Sequence, residues 1–155
     1  MSELEQIEIL QALLDALDSQ HPLRQGRTDA HFYTRHLKDL FQLMKREGWT
    51  AAHVQAQVKT YVEDLPNREA FRYQVSRGRF VKGEPKTAKL KAEKDRMRRL
   101  YAAAALYPKY VQALQAARRY DYEDMILWVL REFEQDEDLL RRYQEQYLYF
   151  LVDEY

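Results

Sequence analysis

Cysteine is absent from this 155-residue chain, so neither a disulfide framework nor thiolate chemistry is available to it, which fits a reducing compartment. Any zinc site would draw on histidine and carboxylates alone. Glycine is scarce: the four are Gly26, Gly48, Gly78 and Gly83, and none is followed by lysine. No loop of the form Gly-x-x-x-x-Gly-Lys-Ser/Thr, whose backbone N–H groups cradle phosphates, is therefore present. Long apolar runs are missing too. No segment approaches the roughly 18 consecutive apolar residues of a membrane span. The N-terminal MSELEQIEIL is acidic, not a cationic stretch leading into an apolar one. A soluble, cytoplasmic protein with no membrane partner is the expectation.

The chemically versatile side chains do not assemble by spacing. His21, His31, His36 and His53 lack a metal-ligand interval; His31 and His36, five positions apart, fall on different faces of a helix. They read as surface or packing residues. Ser2, Ser19 and Ser76 have no nucleophile-elbow context, so covalent hydrolase chemistry has no support.

Apolar and aromatic residues are plentiful at 46%, enough for one domain of this length to bury a core. The formal net charge is zero, but the charge is unevenly placed. From Arg68 to Arg99 the cations are Arg68, Arg72, Arg77, Arg79, Lys82, Lys86, Lys89, Lys91, Lys94, Arg96, Arg98 and Arg99, opposed by Glu69, Glu84, Glu93 and Asp95. From Asp121 onward acids dominate, with Arg131, Arg141 and Arg142 as the only cations. Two regions of opposite sign meet different partners.

The periodicity is helical almost throughout. Ser2 with Glu5 has the form of a capping box, and Leu4, Ile7, Leu10, Leu14 and Leu17 follow at threes and fours. Asp29 is the expected cap of a second helix with Tyr33, Leu37, Leu40, Phe41 and Met44 as its apolar face; Lys45 and Arg46 suit its dipole and Gly48 stops it. Thr50 caps a third, carrying Val54, Val58, Tyr61 and Leu65 and ending at Pro66. The basic segment, broken by Gly78, Gly83 and Pro85, predicts an extended or short-helical excursion. A helix over Lys86 to Leu106 follows, and Pro108 either kinks it or opens a new one running to Arg118. Asp121 with Asp124 and then Asp136 are expected to cap two final helices, the first turning Met125, Ile126, Val129, Leu130 and Phe133 inward. The fold class is thus all-α, a bundle of about six helices, with one orphan strand at the C-terminus.

That strand is the terminal stretch 147–155, YLYFLVDEY. An aromatic and aliphatic run that closes in two carboxylates is the pattern of a buried strand delivering acids to its carboxyl end, where α/β proteins bind ligands. An acidic amphipathic tail explains the same letters. A lone strand leaves its ladder hydrogen bonds unmet, so a sheet partner would have to come from elsewhere.

Taken together, RRYDYEDMILWVLREF (118–133) and YLYFLVDEY (147–155) resemble the UvrD/Rep-type superfamily 1 DNA helicases. In that family an Asp-Phe-Asp-Asp-Leu-like helix start is followed, after a helical spacer, by a hydrophobic strand ending in Asp-Glu-Phe/Tyr-Gln-Asp, the Walker B element. HFYTRHLKDLFQLMKREGWT (31–50) is similar to the helical start of the family's 1B subdomain. The resemblance implies that 1–120 is a 1B-like helical insertion containing the basic segment 68–99. Residues 121–155 would then return into the RecA-like 1A domain. It also implies that the chain is a fragment of an ATP-dependent helicase acting in DNA repair or replication, cut within Walker B. The resemblance implies that the parent uses ATP and Mg²⁺, and the isolated chain is expected to bind neither and to be inactive.

On that basis Asp153 would hold Mg²⁺ and Glu154 would act as base or orienter for the attacking water, in the parent only. Arg72, Arg77, Arg79, Lys82, Lys86, Lys89 and Lys91 are the candidate DNA-binding residues, able to neutralise phosphates without reading sequence, at single strands or duplex junctions. Phe71, Tyr73 and Phe80 could stack on bases or pack on the bundle. The other expected partner is the remainder of the helicase. Two alternatives are a self-contained helical protein-interaction adaptor and a stand-alone helical nucleic-acid binder.

Overall fold

The computed structural model describes residues 2–25, 28–76, 78, 81–147 and 149–153. Among them are six α-helices: α1 (Glu3–Asp15), α2 (Thr34–Arg46), α3 (Ala51–Asp64), α4 (Thr87–Ala116), α5 (Tyr122–Gln135) and α6 (Glu137–Gln146). Short 3-10 turns lie at Leu65–Asn67 and Glu69–Phe71. The chain divides into two compact units, Met1–Arg119 and Tyr120–Tyr155. No helix among the described residues is long and apolar enough to cross a membrane.

In the first unit, α1 begins as its sequence dictates. The Ser2 hydroxyl accepts the Glu5 N–H and the Glu5 carboxylate accepts the Ser2 N–H, satisfying two otherwise orphaned donors. Its buried face follows the expected one except in the first turn. Leu10 and Leu14 are fully buried, but Leu4 is 64% exposed and Gln6 takes its place. Residues 6, 10 and 14 make a straight i, i+4 row, and the first turn, occupied with capping, lies beyond the core.

Helix α2 starts four residues after the expected Asp29 position, with Tyr33 at its cap. Asp29 is spent locally instead: its carboxylate accepts the His31 N–H at 2.8 Å, closing a turn before the helix. The helix ends in a left-handed cap, in which Gly48 (φ 64) donates to the Lys45 carbonyl and Trp49 donates to that of Met44. Lys45 is buried, 1% exposed, with its ammonium 5.5 Å from the centre of the Tyr110 ring. Helix α3 follows directly, with the Thr50 hydroxyl accepting the His53 N–H.

Helix α4 is the axis of the unit. It passes through Pro108 without ending. Proline removes one N–H and crowds the carbonyl four residues earlier. Here its ring faces solvent while Leu106 and Tyr110, on either side, are 3% and 4% exposed. Packing on both sides holds the helix together where its own backbone is weakest. The core gathers Leu10, Leu14, Leu37, Phe41, Met44, Val54 and Val58 around Met97, Ala103, Ala104, Leu106, Tyr110 and Leu114 of α4. Phe41 lies 5.4 and 5.0 Å from the rings of Tyr107 and Tyr110. Helix α4 ends on a second left-handed cap, this time at Arg118 (φ 53), whose N–H bonds the Gln115 carbonyl while Arg119 bonds that of Leu114. Arg119 also reaches Glu5 at 2.9 Å, tying the end of α4 to the start of α1.

In the second unit, α5 carries the expected capping box between Asp121 and Asp124, and Asp136 caps α6 through the Leu139 N–H. The two helices form a hairpin with Phe133 against Tyr143 at 5.4 Å. The inward face expected of α5 is not buried. Met125, Ile126, Val129 and Leu130 are 41–51% exposed, because a two-helix hairpin gives each helix only one neighbour within the unit. Beyond α6, residues 147 and 149–153 carry no regular structure, and the expected strand is not formed there. Glu154 and Tyr155 lie outside the described residues.

Candidate nucleic-acid interface

The basic segment is more built than its composition suggests. After α3, Leu65 is fully buried and anchors the 3-10 turn that begins there. The Arg68 guanidinium pairs with Asp64 at 2.8 Å and covers the Tyr61 ring at 4.3 Å. Phe71 is 7% exposed and packs under Lys89, so it is not a base-stacking surface.

From Arg72 the chain turns out and back as a short antiparallel excursion. Arg72 and Pro85 form an isolated bridge. Tyr73 donates to the Glu84 carbonyl at 2.9 Å, Gly83 to that of Tyr73 at 2.8 Å, and Lys86 to that of Phe71 at 2.8 Å. On the returning side Lys82 donates its N–H to the Ser76 hydroxyl at 2.9 Å, and the Glu84 carboxylate accepts the Val81 N–H at 3.1 Å. Gly83 has φ 90, a conformation that L side chains rarely adopt, and this makes the close return feasible.

The candidate cations separate into two groups. Three are engaged by the fold. Arg72 donates from Nε to the Pro66 carbonyl at 2.7 Å and from Nη1 to the Gly83 carbonyl at 3.1 Å. The ammoniums of Lys86 and Lys89 both approach the Ala70 carbonyl, at 3.4 and 3.1 Å, and lie over the rings of Tyr73 and Phe71. Lys82 and Lys91 are exposed. Arg77 and Arg79, like Phe80, lie outside the described residues. Further along α4, Arg98 and Arg99 line a polar cleft with Pro22, Gln25 and Asp95. These two cations belong to the basic segment but were not among the expected contacts, and only the fold brings them beside Gln25, whose side chain Arg98 meets at 3.4 Å.

The histidines serve packing and local pairing. His31 meets Asp15 at 3.0 Å, His36 stacks on Phe32, and His53 lies against Trp49. His21 is held below its ordinary pKa, chiefly by burial and then by Lys109. An apolar groove of about 420 Å³ between α3 and α4 is lined by Trp49, His53, Gln57 and Tyr61 among others, with no acid–base pair in it. Asp153 is exposed on an irregular stretch, and no cluster of three histidines or carboxylates suited to a metal forms among the described residues. Magnesium needs near-octahedral oxygen donors, commonly one or two carboxylates completed by phosphate and water. One exposed carboxylate does not supply that set by itself.

What the arrangement can do is present positive charge on a braced excursion and along the first turns of a long helix. A family model described as the UvrD/REP helicase N-terminal domain matches residues 3–155. No curated protein and no solved structure matches the chain.

Proposed function

We propose, because this chain belongs to the UvrD/REP helicase N-terminal domain family, that it works as part of an ATP-dependent DNA helicase and contributes sequence-independent DNA contact. The observation that carries the reading is the basic excursion joined to the start of α4, with Lys82 and Lys91 exposed on it. Cations in such a setting neutralise phosphates and release condensed counterions, which gives affinity without base recognition. Arg77 and Arg79 are assigned to the same contact on sequence alone. The DNA partner is a single strand or a duplex junction.

Asp153 and Glu154 are assigned to the helicase's nucleotide chemistry, Asp153 toward Mg²⁺ and Glu154 toward the attacking water. A phosphate-binding loop from the remainder of such a helicase would have to complete them. The half-exposed apolar residues of α5 favour contact with that remainder.

The test is binding of the purified chain to fluorescent single-stranded and forked DNA over a salt series. Affinity should fall linearly in log–log form, with a slope of about −0.7 per phosphate contact on single strands and about −0.9 on duplex. Lys91→Gln should lower that slope by about one such increment. A dissociation constant that does not respond to salt would sink the reading.

A further inference from the structure

The sequence offers Arg72 as one cation among many, but its guanidinium is used in a way that no neighbouring cation among the described residues shares. Nε–H points to the Pro66 carbonyl at the end of the α3 connection, and Nη1 to the Gly83 carbonyl on the returning side of the excursion. One rigid fork thus spans from the bundle to the residue that follows Lys82. Beyond that fork the excursion is held by short-range bonds, among them the Lys82 N–H to the Ser76 hydroxyl at 2.9 Å. Among the described residues it contains a single bridge and no ladder. Its backbone bonds near the base join Phe71 to Lys86 and Tyr73 to Gly83 and Glu84. Gln74 adds a bond to the Glu69 carbonyl at 2.8 Å.

We infer that Arg72 is a positioning residue: it braces the two described arms of the excursion, residues 72–76 and 81–85, against the bundle and so fixes Lys82 as a phosphate contact, instead of contacting phosphate itself. The inference rests on the DNA-binding reading above. Its physical basis is the planar guanidinium, which donates two hydrogen bonds in fixed relative directions; an ammonium at the same place is a point charge that cannot span both carbonyls. A lysine on a loop held by one bridge and a few local hydrogen bonds samples more positions than one on a braced loop, and ordering it on each encounter with DNA weakens binding. A preformed brace removes that cost.

The experiment compares wild type, Arg72→Lys, Arg72→Gln, Lys82→Gln and the Arg72→Lys/Lys82→Gln pair, measuring forked-DNA affinity over a salt series and hydrogen exchange of the free protein. Arg72→Lys retains the charge, so it should behave as wild type if Arg72 touches phosphate. It should resemble Lys82→Gln if Arg72 is the brace. We expect Arg72→Lys and Arg72→Gln each to weaken binding by about fivefold. Each should also lower the salt slope by the same increment as Lys82→Gln, and the pair should lose nothing further, which shows that the two residues act through one contact. The Tyr73 and Gly83 amides should exchange about fivefold to tenfold faster in both Arg72 variants, with the melting temperature of the bundle unchanged.

Wild-type affinity and slope in Arg72→Lys would overturn the inference, as would additive losses in the pair or a lowered melting temperature. If wild type itself shows no salt-dependent binding, the DNA reading fails. The exchange rates of Tyr73 and Gly83 still decide the brace in that case, and unchanged protection would refute it.

Discussion

Replacing Pro108 with alanine should make the first unit more stable, although it alters the longest helix in the molecule. Pro108 sits inside α4 with its ring exposed, and it has no N–H to offer the Ala104 carbonyl four residues back. Proline in a helix interior is about 3 kcal/mol less favourable than alanine. The exposed ring contributes little packing, so little is lost when it is trimmed. One effect opposes the gain: proline narrows the unfolded ensemble, and its removal returns about 0.4–1 kcal/mol of chain entropy to the unfolded state. The net expectation is about 2 kcal/mol of added stability. For a unit of the length Met1–Arg119, a kilocalorie corresponds to about 4 °C, so the midpoint should rise by about 8 °C. Thermal melts followed by far-ultraviolet circular dichroism measure this directly. Gln112→Ala, an exposed change in the same helix, serves as control and should move stability by less than about 0.5 kcal/mol. A midpoint that stays put or falls would refute the reasoning. It would mean that the local geometry imposed by Pro108 is needed to deliver Tyr110 and Leu114 into the core.

Three other perturbations test separate parts of the fold. Leu14→Ala, at a fully buried position, should cost about 2–5 kcal/mol in urea unfolding. The two left-handed caps should respond in opposite directions. Arg118→Gly, at φ 53, should stabilise by about 1 kcal/mol, while Gly48→Ala, at φ 64 with open space around it, should destabilise by a similar amount. Acid should remove stability in two stages. Burial, and then Lys109, hold His21 below its ordinary value of 6.5. The stability due to its neutral form is therefore complete above 6.5 and is lost as pH falls through the lower folded value. The Leu23 N–H donates to its Nδ1 at 3.3 Å, a bond the protonated ring cannot accept. Glu5 is lowered from 4.5 to about 2, first by the Ser2 N–H and then by Arg119 and the Ser2 hydroxyl. Its contribution is complete above 4.5 and disappears toward 2. Glu5→Gln should flatten the pH dependence of the melting midpoint in the lower window and leave the upper one intact.

Much of the helical architecture was legible in the letters because it is decided locally. Ser2 with Glu5, Thr50, Asp121 with Asp124, and Asp136 all cap where expected, since a short polar side chain three residues before a free N–H needs no tertiary help. Asp29 shows the limit of the same rule. Its side chain closes a turn at His31 and the helix begins only at Thr34; which of two local bonds wins depends on where Leu37 and Phe41 must land. The candidate interface was legible as a region but not as a set of roles. Charge density placed it between Arg68 and Arg99, yet nothing in the sequence separates Arg72, which bonds two carbonyls, from exposed Lys82 and Lys91.

By itself the sequence determined an all-α fold class, the placement of most helix starts, and the basic and acidic regions. These follow from side-chain chemistry acting over three or four residues. Tertiary structure decided what depends on distant neighbours. It carried α4 through Pro108, because Leu106 and Tyr110 are packed on either side of the missing bond. It turned Gln6 inward and Leu4 outward, and it left the apolar face of α5 half exposed within its hairpin. In the terminal stretch, residues 147 and 149–153 stay irregular, since a strand exists only where another strand meets its backbone donors and acceptors.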